Sequence, residues 1–393
     1  MKIAIIGQGY VGLALAQAAS NVGHKVIGFD NNPKVIADIK SQITKSYFLE
    51  RTNYLPTDNE VDIKDQEIYI IAVPTPLDKS NLPDISYLIE ASKLIAKSAP
   101  NGALVINEST SHPGTLREIV IIQISNSNRA TFLYAAAPER IDPANTKWSI
   151  KNTPRVIAGV DEASTKAALN FYNSICDQVE VVSSPEVAEA AKLFENTFRQ
   201  VNIALVNELA QISQRLNISA NEVIAAASTK PFGFMPFKPG LGVGGHCIPI
   251  DPIYLAQKAK SVGATAAFID QANKVNEQMP LYILERIKSL LRSNLAGKKI
   301  CIVGLSYKAD VSDLRQSPSV VLWKELEKQG AMVAFHDEIV KVYEGIDSSA
   351  LNENNYDLLV VAIRHSNLDV NKLKKSAPII FDCTGSIEGC YRL

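Results

Sequence analysis

Cys247 lies in Gly244-Gly245-His246-Cys247-Ile248-Pro249, with Asp251 four residues further on. A thiol between a double glycine and a proline sits on a constrained, closely approachable loop, which suits a nucleophile better than a packed structural cysteine. Cys301, within an apolar run, reads as core instead. His246 adjoins the thiol, but neighbours in an extended loop usually point apart, so adjacency does not make it a base. Lys192 and Asn196 are spaced i, i+4 in EAAKLFEN. On a helix they share a face and can together hold a developing oxyanion or an ordered water. The apolar residues around them imply that much of this helix is covered.

A second chemistry is written at the start of the chain. Gly7-x-Gly9-x-x-Gly12 follows an apolar run and opens a helical one. Glycines so placed permit a tight turn, close backbone approach to a diphosphate and close strand-to-helix packing, while the helix start favours negative charge. Asp30, at the end of the next apolar run, is placed to bind ribose hydroxyls and to repel a 2′-phosphate, so the cofactor expected is NAD rather than NADP. Polar residues follow three further apolar runs: Val73-Pro74-Thr75-Pro76, Glu108-Ser109-Thr110 and Ala137-Pro138-Glu139-Arg140. Open α/β sheets bind ligands at the carboxyl ends of their strands, so Thr110 is a candidate for positioning a water and Glu139 for a base. Lys308 in Gly304-Leu305-Ser306-Tyr307-Lys308, with Arg315 just beyond, suits phosphate.

These residues require elements to position them. Nearly continuous Val, Ile, Leu and Ala at Lys2 to Gly7, Lys25 to Asp30, Glu67 to Val73, Ala103 to Asn107 and Phe132 to Ala137 predict buried parallel strands, with helical spacing between them. A further strand, Arg155 to Val160, and a helix from Ala163 to Cys176 follow. Pro185 opens a long helical stretch that spans on the order of 45 Å at about 1.5 Å per residue. Residues 228–252, rich in glycine, proline and aromatics, interrupt the helical middle as a functional loop. A second strand-and-helix alternation begins near Lys298, with strands at 299–304, 331–335, 357–363 and 378–382 and a helix around 318–329. The expected fold class is α/β: two Rossmann-like doubly wound domains joined by a long central helix and a helical middle region. The expected domains are 1–183 for the cofactor, 184–294 carrying the cysteine loop, and 295–393 for the substrate nucleotide.

Composition excludes other classes. The chain has 393 residues, 40 Lys+Arg against 41 Asp+Glu, and 46% hydrophobic residues, a globular balance with no basic excess for nucleic acid. Five scattered cysteines without CxxC spacing argue against a disulfide framework and a zinc site, so no metal is expected and a reducing cytoplasm fits. The opening apolar run imitates a signal peptide but is broken by Gly7, Gln8, Gly9 and Gly12, and no run reaches the roughly 20 residues of a membrane span.

Taken together, GxGYVG, VPTP, EST, PER, EAAKxxEN, GGHCIPIDP and GLSYKADVSDLRQSPS stand in the order and spacing of the UDP-sugar 6-dehydrogenase family, which the chain resembles along essentially its whole length. The resemblance implies oxidation of a sugar C6 alcohol to a carboxylate with two NAD consumed. It makes Cys247 the nucleophile of a thiohemiacetal and then a thioester, and Lys192 and Asn196 stabilisers of the negative oxygen. Asp251 would move a proton or hold Lys192 and the water, and Thr110 and Glu139 would position the catalytic water and supply acid-base chemistry. Tyr10, Val11, Asp30, Thr75 and Thr110 match NAD contacts, and Arg315 a cofactor or active-site arginine. Lys308, with Phe237 and the glycines of the 232–245 loop including Gly244, matches the UDP-sugar pocket. Glu139, Arg140, Lys192 and Asn196 also join the substrate set, and Arg199 and Lys238 are further acetamido or diphosphate candidates.

Two departures narrow the substrate. Ile250 stands where UDP-glucose dehydrogenases typically carry a lysine, and Pro138-Glu139-Arg140-Ile141-Asp142-Pro143 replaces a Pro-Glu-Phe-Leu type. Both, with His246, resemble the UDP-N-acetylhexosamine branch, and UDP-N-acetylglucosamine is the expected substrate. UDP-N-acetylmannosamine and UDP-glucose are the alternatives; a two-electron hydroxy-acid dehydrogenase and a non-catalytic nucleotide-sugar binder are more distant ones. The family also implies a homodimer, built on the central helix through Val201, Ile203, Leu205, Val206, Leu209 and Ile212, and a place in capsule or O-antigen synthesis.

Overall fold

The computed structural model describes residues 1–45, 53–80, 82–142, 145 and 147–393; Pro143 of the 138–143 motif lies outside the described residues. The chain divides into two compact units, one of residues 1–195 with 253–264, the other of residues 196–252 with 265–393.

In the N-terminal unit, β1 (Lys2–Ile6), β2 (Lys25–Phe29), β3 (Tyr54–Thr57), β4 (Ile68–Ile71), β5 (Leu104–Asn107), β6 (Leu133–Ala136), β7 (Arg155–Gly159) and β8 (Val179–Val181) form one sheet in the order β3-β2-β1-β4-β5-β6-β7-β8. The first six strands are parallel in the doubly wound order 3-2-1-4-5-6, with the switch point between β1 and β4. Central strands are buried on both faces by α1 (Tyr10–Asn21), α2 (Pro33–Lys45), α3 (Ser86–Ser98), a π-helical turn Leu116–Ile121 running into α4 (Ile122–Ser127), and α5 (Glu162–Ile175). Asp161 caps α5 by accepting the Ser164 N–H at 2.7 Å.

The strand expected at Arg155 to Val160 is present but reversed: β7 runs antiparallel to β6. Antiparallel neighbours need no crossover helix, and none lies between these two among the described residues. The reversal places the first residue of β7, Arg155, at the edge where β5 and β6 end. The strands β3 and β8 are not legible in the sequence, because Pro56 interrupts the four residues of β3 and Glu180 the three of β8.

Helix α6 (Pro185–Leu216), 32 residues and about 48 Å long, and α8 (Asp251–Ser261) contribute residues to both units. The C-terminal unit adds α7 (Ala220–Ala227), α9 (Ala267–Leu291) and a parallel sheet of order β10-β9-β13-β14-β15. Its strands are β9 (Lys299–Val303), β10 (Met332–His336), β13 (Leu358–Val361), β14 (Ile380–Asp382) and β15 (Tyr391–Arg392). α10 (Pro318–Lys328), α11 (Val370–Ser376) and a β11 (Val342–Tyr343) to β12 (Ile346–Asp347) hairpin complete it. The expected loop of 228–252 ends two residues early, because Asp251 is already helical. The core joins Met279, Ile283 and Ile287 of α9 to Leu322 and Trp323 of α10 and the buried sheet strands.

One buried carboxylate ties a strand-end loop to α6. Glu189 accepts the N–H of Gly114 at 2.7 Å and of Leu116 at 2.9 Å, fixing the segment after Thr110 against the helix that carries Lys192. Burial raises its carboxyl and the two backbone N–H groups oppose that, leaving it at about 7.

Phe335→Ala, at a fully buried position packed 5.8 Å from Trp323, should destabilise the C-terminal unit by about 3–5 kcal/mol, whereas Phe268→Ala, 84% exposed, should change stability by less than about 0.5 kcal/mol. Denaturant unfolding followed by tryptophan fluorescence compares them. A carboxyl raised in the folded state favours folding while protonated, so the wild type should lose stability as pH rises from about 4.5 to about 7. Glu189→Gln should flatten that decline, the difference growing to on the order of 3 kcal/mol by neutral pH; parallel curves would contradict it.

Candidate active site

Two clusters of polar side chains form, one in each unit. In the N-terminal unit, β1 ends at Gly7, whose φ of +95° turns the chain, and whose N–H donates to Phe29 O at 2.8 Å. A Cβ on Gly12 would lie 1.9 Å from the Gly7 carbonyl oxygen, whereas a Cβ on Gly9 would meet nothing within 4 Å. Gly12 is thus set by packing, and Gly9 leaves an open face at the start of α1, where the first backbone N–H groups point outward. Val11 packs its side chain on the core, so what it offers there is its backbone. Asp30, at the end of β2, receives Gln8 N–H on Oδ2 and Asn32 N–H on Oδ1, both at 2.9 Å, which fixes a half-buried carboxylate beside the turn. Gln8 is a buried lock: its amide donates to Ile5 O and Gly7 O, and Tyr54 O–H donates to it. An open turn, an outward helix start and a fixed acid fit the diphosphate and ribose of NAD.

The loops after β4 and β5 are tied together by Ser109, whose hydroxyl accepts Val73 N–H and donates to Val73 O, each at 2.9 Å. Thr75 is buried and Thr110 half-buried on these loops. Behind them lies an ion cluster that sequence reasoning missed. Arg155 pairs with Glu108 through Nη2, stands 3.6 Å from Glu139 Oε1 through Nη1, and donates to Ala137 O at 2.8 Å. Tyr172 O–H donates to Glu108 Oε1, and its ring centroid is 5.0 Å from the guanidinium carbon. Ile141 N–H donates to Glu139. Burial holds the Glu139 carboxyl above the usual carboxylate range, against the pull of Arg155 and then Lys192. Tyr10 is raised by burial and by Glu139, which places it on the same side of the unit. Arg140 is a half-buried ion pair with Glu195, at 2.6 Å, and also donates to Pro154 O. Its charge is already engaged within the protein.

In the C-terminal unit Cys247 is exposed and outside any disulfide. Its carbonyl accepts Asp251 N–H at 2.9 Å, so the thiol stands one turn before α8. The loop is seated by its glycines: Gly245 has φ of +85°, a Cβ there would lie 2.7 Å from the Tyr307 ring, and its N–H donates to Arg315 O at 2.9 Å. The Arg315 guanidinium is held by both oxygens of Asp313, at 2.6–3.0 Å. That bond first, and the charges of Asp313, Tyr307 and Cys247, keep it cationic. Burial, and then Arg315, lower the proton affinity of His246 below the ordinary imidazole range. Its Nε2 is buried without a hydrogen-bond partner. Asn196 Nδ2 donates to Asp251 Oδ2 at 2.5 Å, and both are buried. Phe237 packs edge-on against Phe198 at 5.9 Å, and Arg199 is exposed. Ile250 is buried.

The second sheet repeats the first turn but closes it. Gly304 N–H donates to His336 O at 2.9 Å and Leu305 N–H to Asp337 Oδ2 at 2.8 Å, the counterparts of Gly7 and Asp30. Here Leu305 and Ser306 fill the place of the open glycine, and Asp337 is buried. Against the effect of burial, His365 and the N–H groups of Val340, Leu305 and Ile339 bring Asp337 to about 2. Its oxygens are spent inside the protein, so the ribose-reading acid belongs to the N-terminal turn alone. Among the described residues, Asp337, Glu338 and His365 gather ligand atoms within 4.8 Å of one another. Because Asp310 N–H donates to His365 Nδ1, the proton of the neutral ring sits on Nε2, 3.2 Å from Asp337 Oδ1, a contact spent within the protein that does not suit a metal ligand.

No helix of the described residues is long and apolar enough to cross a membrane. Residues 1–176 match the NAD binding domain, 186–278 the central domain and 301–389 the UDP binding domain of the UDP-glucose/GDP-mannose dehydrogenase family. Protein CapL of Staphylococcus aureus is 37% identical over 98% of this chain and 96% of its own, and a UDP-N-acetyl-D-glucosamine 6-dehydrogenase of Salmonella typhi is 35% identical over 97% and 95%. The structure of a UDP-D-ManNAc dehydrogenase from Pyrococcus horikoshii superimposes with TM-score 0.89 at 31% identity, covering 100% of this chain and 98% of that one. With an open dinucleotide turn in one unit, a closed copy in the other, and matches along nearly its whole length, the chain belongs to the UDP-glucose/GDP-mannose dehydrogenase family and is an NAD-dependent UDP-sugar dehydrogenase.

Proposed function

We propose that the chain oxidises the C6 alcohol of a UDP-N-acetylhexosamine, UDP-N-acetylglucosamine in preference, to the uronate through a covalent intermediate on Cys247. The observation that carries the chemistry is Cys247 itself: an exposed thiol on a glycine loop seated against Tyr307 and Arg315, one turn before a helix that begins with a buried acid. Two points favour an N-acetylated sugar. Ile250, buried, occupies the position of the lysine typical of UDP-glucose dehydrogenases, so no cation is offered there. The Salmonella relative at 35% identity is named for the N-acetylglucosamine substrate.

When bound, NAD supplies the two-electron acceptor, and two are consumed per sugar. The Cys247 sulfur adds to the aldehyde carbon, forming a thiohemiacetal that keeps a reactive carbonyl bound between the two oxidations. The second oxidation leaves a thioester; water attacks the acyl carbon, the carbon–sulfur bond breaks and the thiol is restored. The sum is alcohol plus two NAD⁺ plus water giving carboxylate, two NADH and three protons. Lys192 and Asn196 stabilise oxygen charge, Asp251 orients Asn196, and Thr110 and Glu139 position the water and take its proton. Arg315 and Lys308 serve the anionic ligand groups, and the 232–245 loop with Phe237 the sugar nucleotide. A uronate product suits polysaccharide synthesis.

The chain also forms a homodimer in this reading. Phe198, Leu205 and Ile212 recur every seven residues along α6 and are all exposed, an apolar stripe on one face of the helix. Val206, expected in that surface, is instead buried, and Val201, Ile203 and Leu209 are half-buried.

Purified protein should form two NADH per UDP-N-acetylglucosamine consumed, faster than with UDP-N-acetylmannosamine or UDP-glucose. One NADH per sugar would refute the covalent route, and preference for another sugar the assigned substrate. Cys247→Ser should lose roughly 1,000-fold or more in kcat while NADH titration stays at the wild-type affinity. In sedimentation the wild type should exceed its 42.8 kDa chain mass and Leu205→Asp should shift towards it; a monomer at all concentrations would remove the dimer.

A further inference from the structure

Three side chains of the N-terminal unit hold buried charge or polarity to which the reaction as described gives no part. Glu108 and Arg155 are 1% and 4% exposed, and Tyr172 is fully buried. A buried ion pair is weak evidence for stability, because desolvation offsets most of the Coulomb attraction. Its place at the carboxyl edge of the sheet, beside Glu139, points elsewhere. We propose that Arg155 is a positioning residue for Glu139, one fixed cation shared between two carboxylates, which holds Glu139 in place to take the proton of the hydrolytic water. This rests on the reading of Glu139 as the acid-base residue.

The planar guanidinium turns one nitrogen to each acid, Nη2 to Glu108 and Nη1 to Glu139 at 3.6 Å. Its orientation is fixed from behind. Nη2 also donates to Ala137 O, Tyr172 donates to the second oxygen of Glu108, and the Tyr172 ring lies against the guanidinium. Glu108 therefore competes with Glu139 for the same charge. The other charged and titratable groups that act with Glu139 are Lys192 of α6 and Tyr10 of α1; the Ile141 N–H also donates to it. Burial and Glu108 favour its protonated form, while Arg155 and Lys192 favour the carboxylate. In hydrolysis, water oxygen bonds to the acyl carbon, the carbon–sulfur bond breaks, and the water proton passes to Glu139, which must be ionised to receive it.

Removing Arg155's share and removing its competitor should move the acidity of Glu139 in opposite directions. The experiment is the pH dependence of kcat for wild type, Arg155→Lys, Glu108→Gln and Glu139→Gln, each checked by circular dichroism. A lysine cannot face both carboxylates, so its acid limb should move up by about 1 pH unit. In Glu108→Gln the guanidinium serves Glu139 alone and the like charge is gone, so the limb should move down by a similar amount. A role in folding alone lowers activity without displacing the limb; unmoved limbs, or shifts of the same sign, overturn the proposal. If Arg155→Lys does not fold, Glu108→Gln decides: a downward shift supports and an unmoved limb refutes. Glu139→Gln separates the two levels. An acid limb that survives in it refutes the reading of Glu139 and the proposal with it, whereas a limb lost there but unmoved in the other two refutes only the part given to Arg155.

Discussion

Two carboxylates withdrawn from water at one edge of a sheet need a cation between them. Glu108 and Glu139 follow β5 and β6, adjacent strands, so the parallel sheet itself sets them side by side. Uncompensated, either would be costly to keep charged. The answer is topological: the strand after β6 turns back, and its first residue, Arg155, arrives at the carboxyl edge instead of the opposite one. Placement of Glu139, of the Thr110 loop beside it and of Tyr172 beneath all depend on that reversal.

Around this fixed charge the N-terminal unit is built from short constraints. Ser109 joins the loops after β4 and β5, Glu189 joins the segment after Thr110 to α6, and Gln8 with Tyr54 braces the glycine turn. Each uses a buried polar group with its partners nearly satisfied, which fixes loops that would otherwise be the mobile part of an α/β fold. The C-terminal unit fixes its cysteine loop differently, by steric seating. Glycines at 244 and 245 let the backbone lie on Tyr307, and side chains there would collide with it. The thiol is left exposed on a backbone with little freedom.

The two sheets share a starting turn and diverge in its use. Both place a glycine after the first strand and an acid after the second, bound to the same backbone position. In the first the acid is half-buried, each oxygen taking one backbone N–H, and the turn stays open. In the second, leucine and serine fill the turn, and the acid is surrounded by His365 and three backbone donors. One architecture thus serves a dinucleotide site and, in the unit matched by the UDP binding domain, a different ligand surface.

Sequence alone determined the doubly wound strands, the glycine turn with Asp30, the long helix and the cysteine loop, because each is local: a run of apolar residues, a glycine spacing or a proline boundary. Family resemblance added the company these residues keep but no distances. Tertiary structure decided what depends on pairs far apart in the chain. Arg155 reads as an ordinary strand residue until β7 is seen to run backwards, and direction is not encoded in five residues. Tyr172, 64 residues from Glu108, reads as a core aromatic. Arg140, expected to touch substrate, is bound to Glu195, and Val206, expected at a partner surface, faces inward. Helical spacing fixes which residues share a face, whereas only packing decides what that face meets, since burial belongs to the neighbours that cover a side chain and not to the side chain itself.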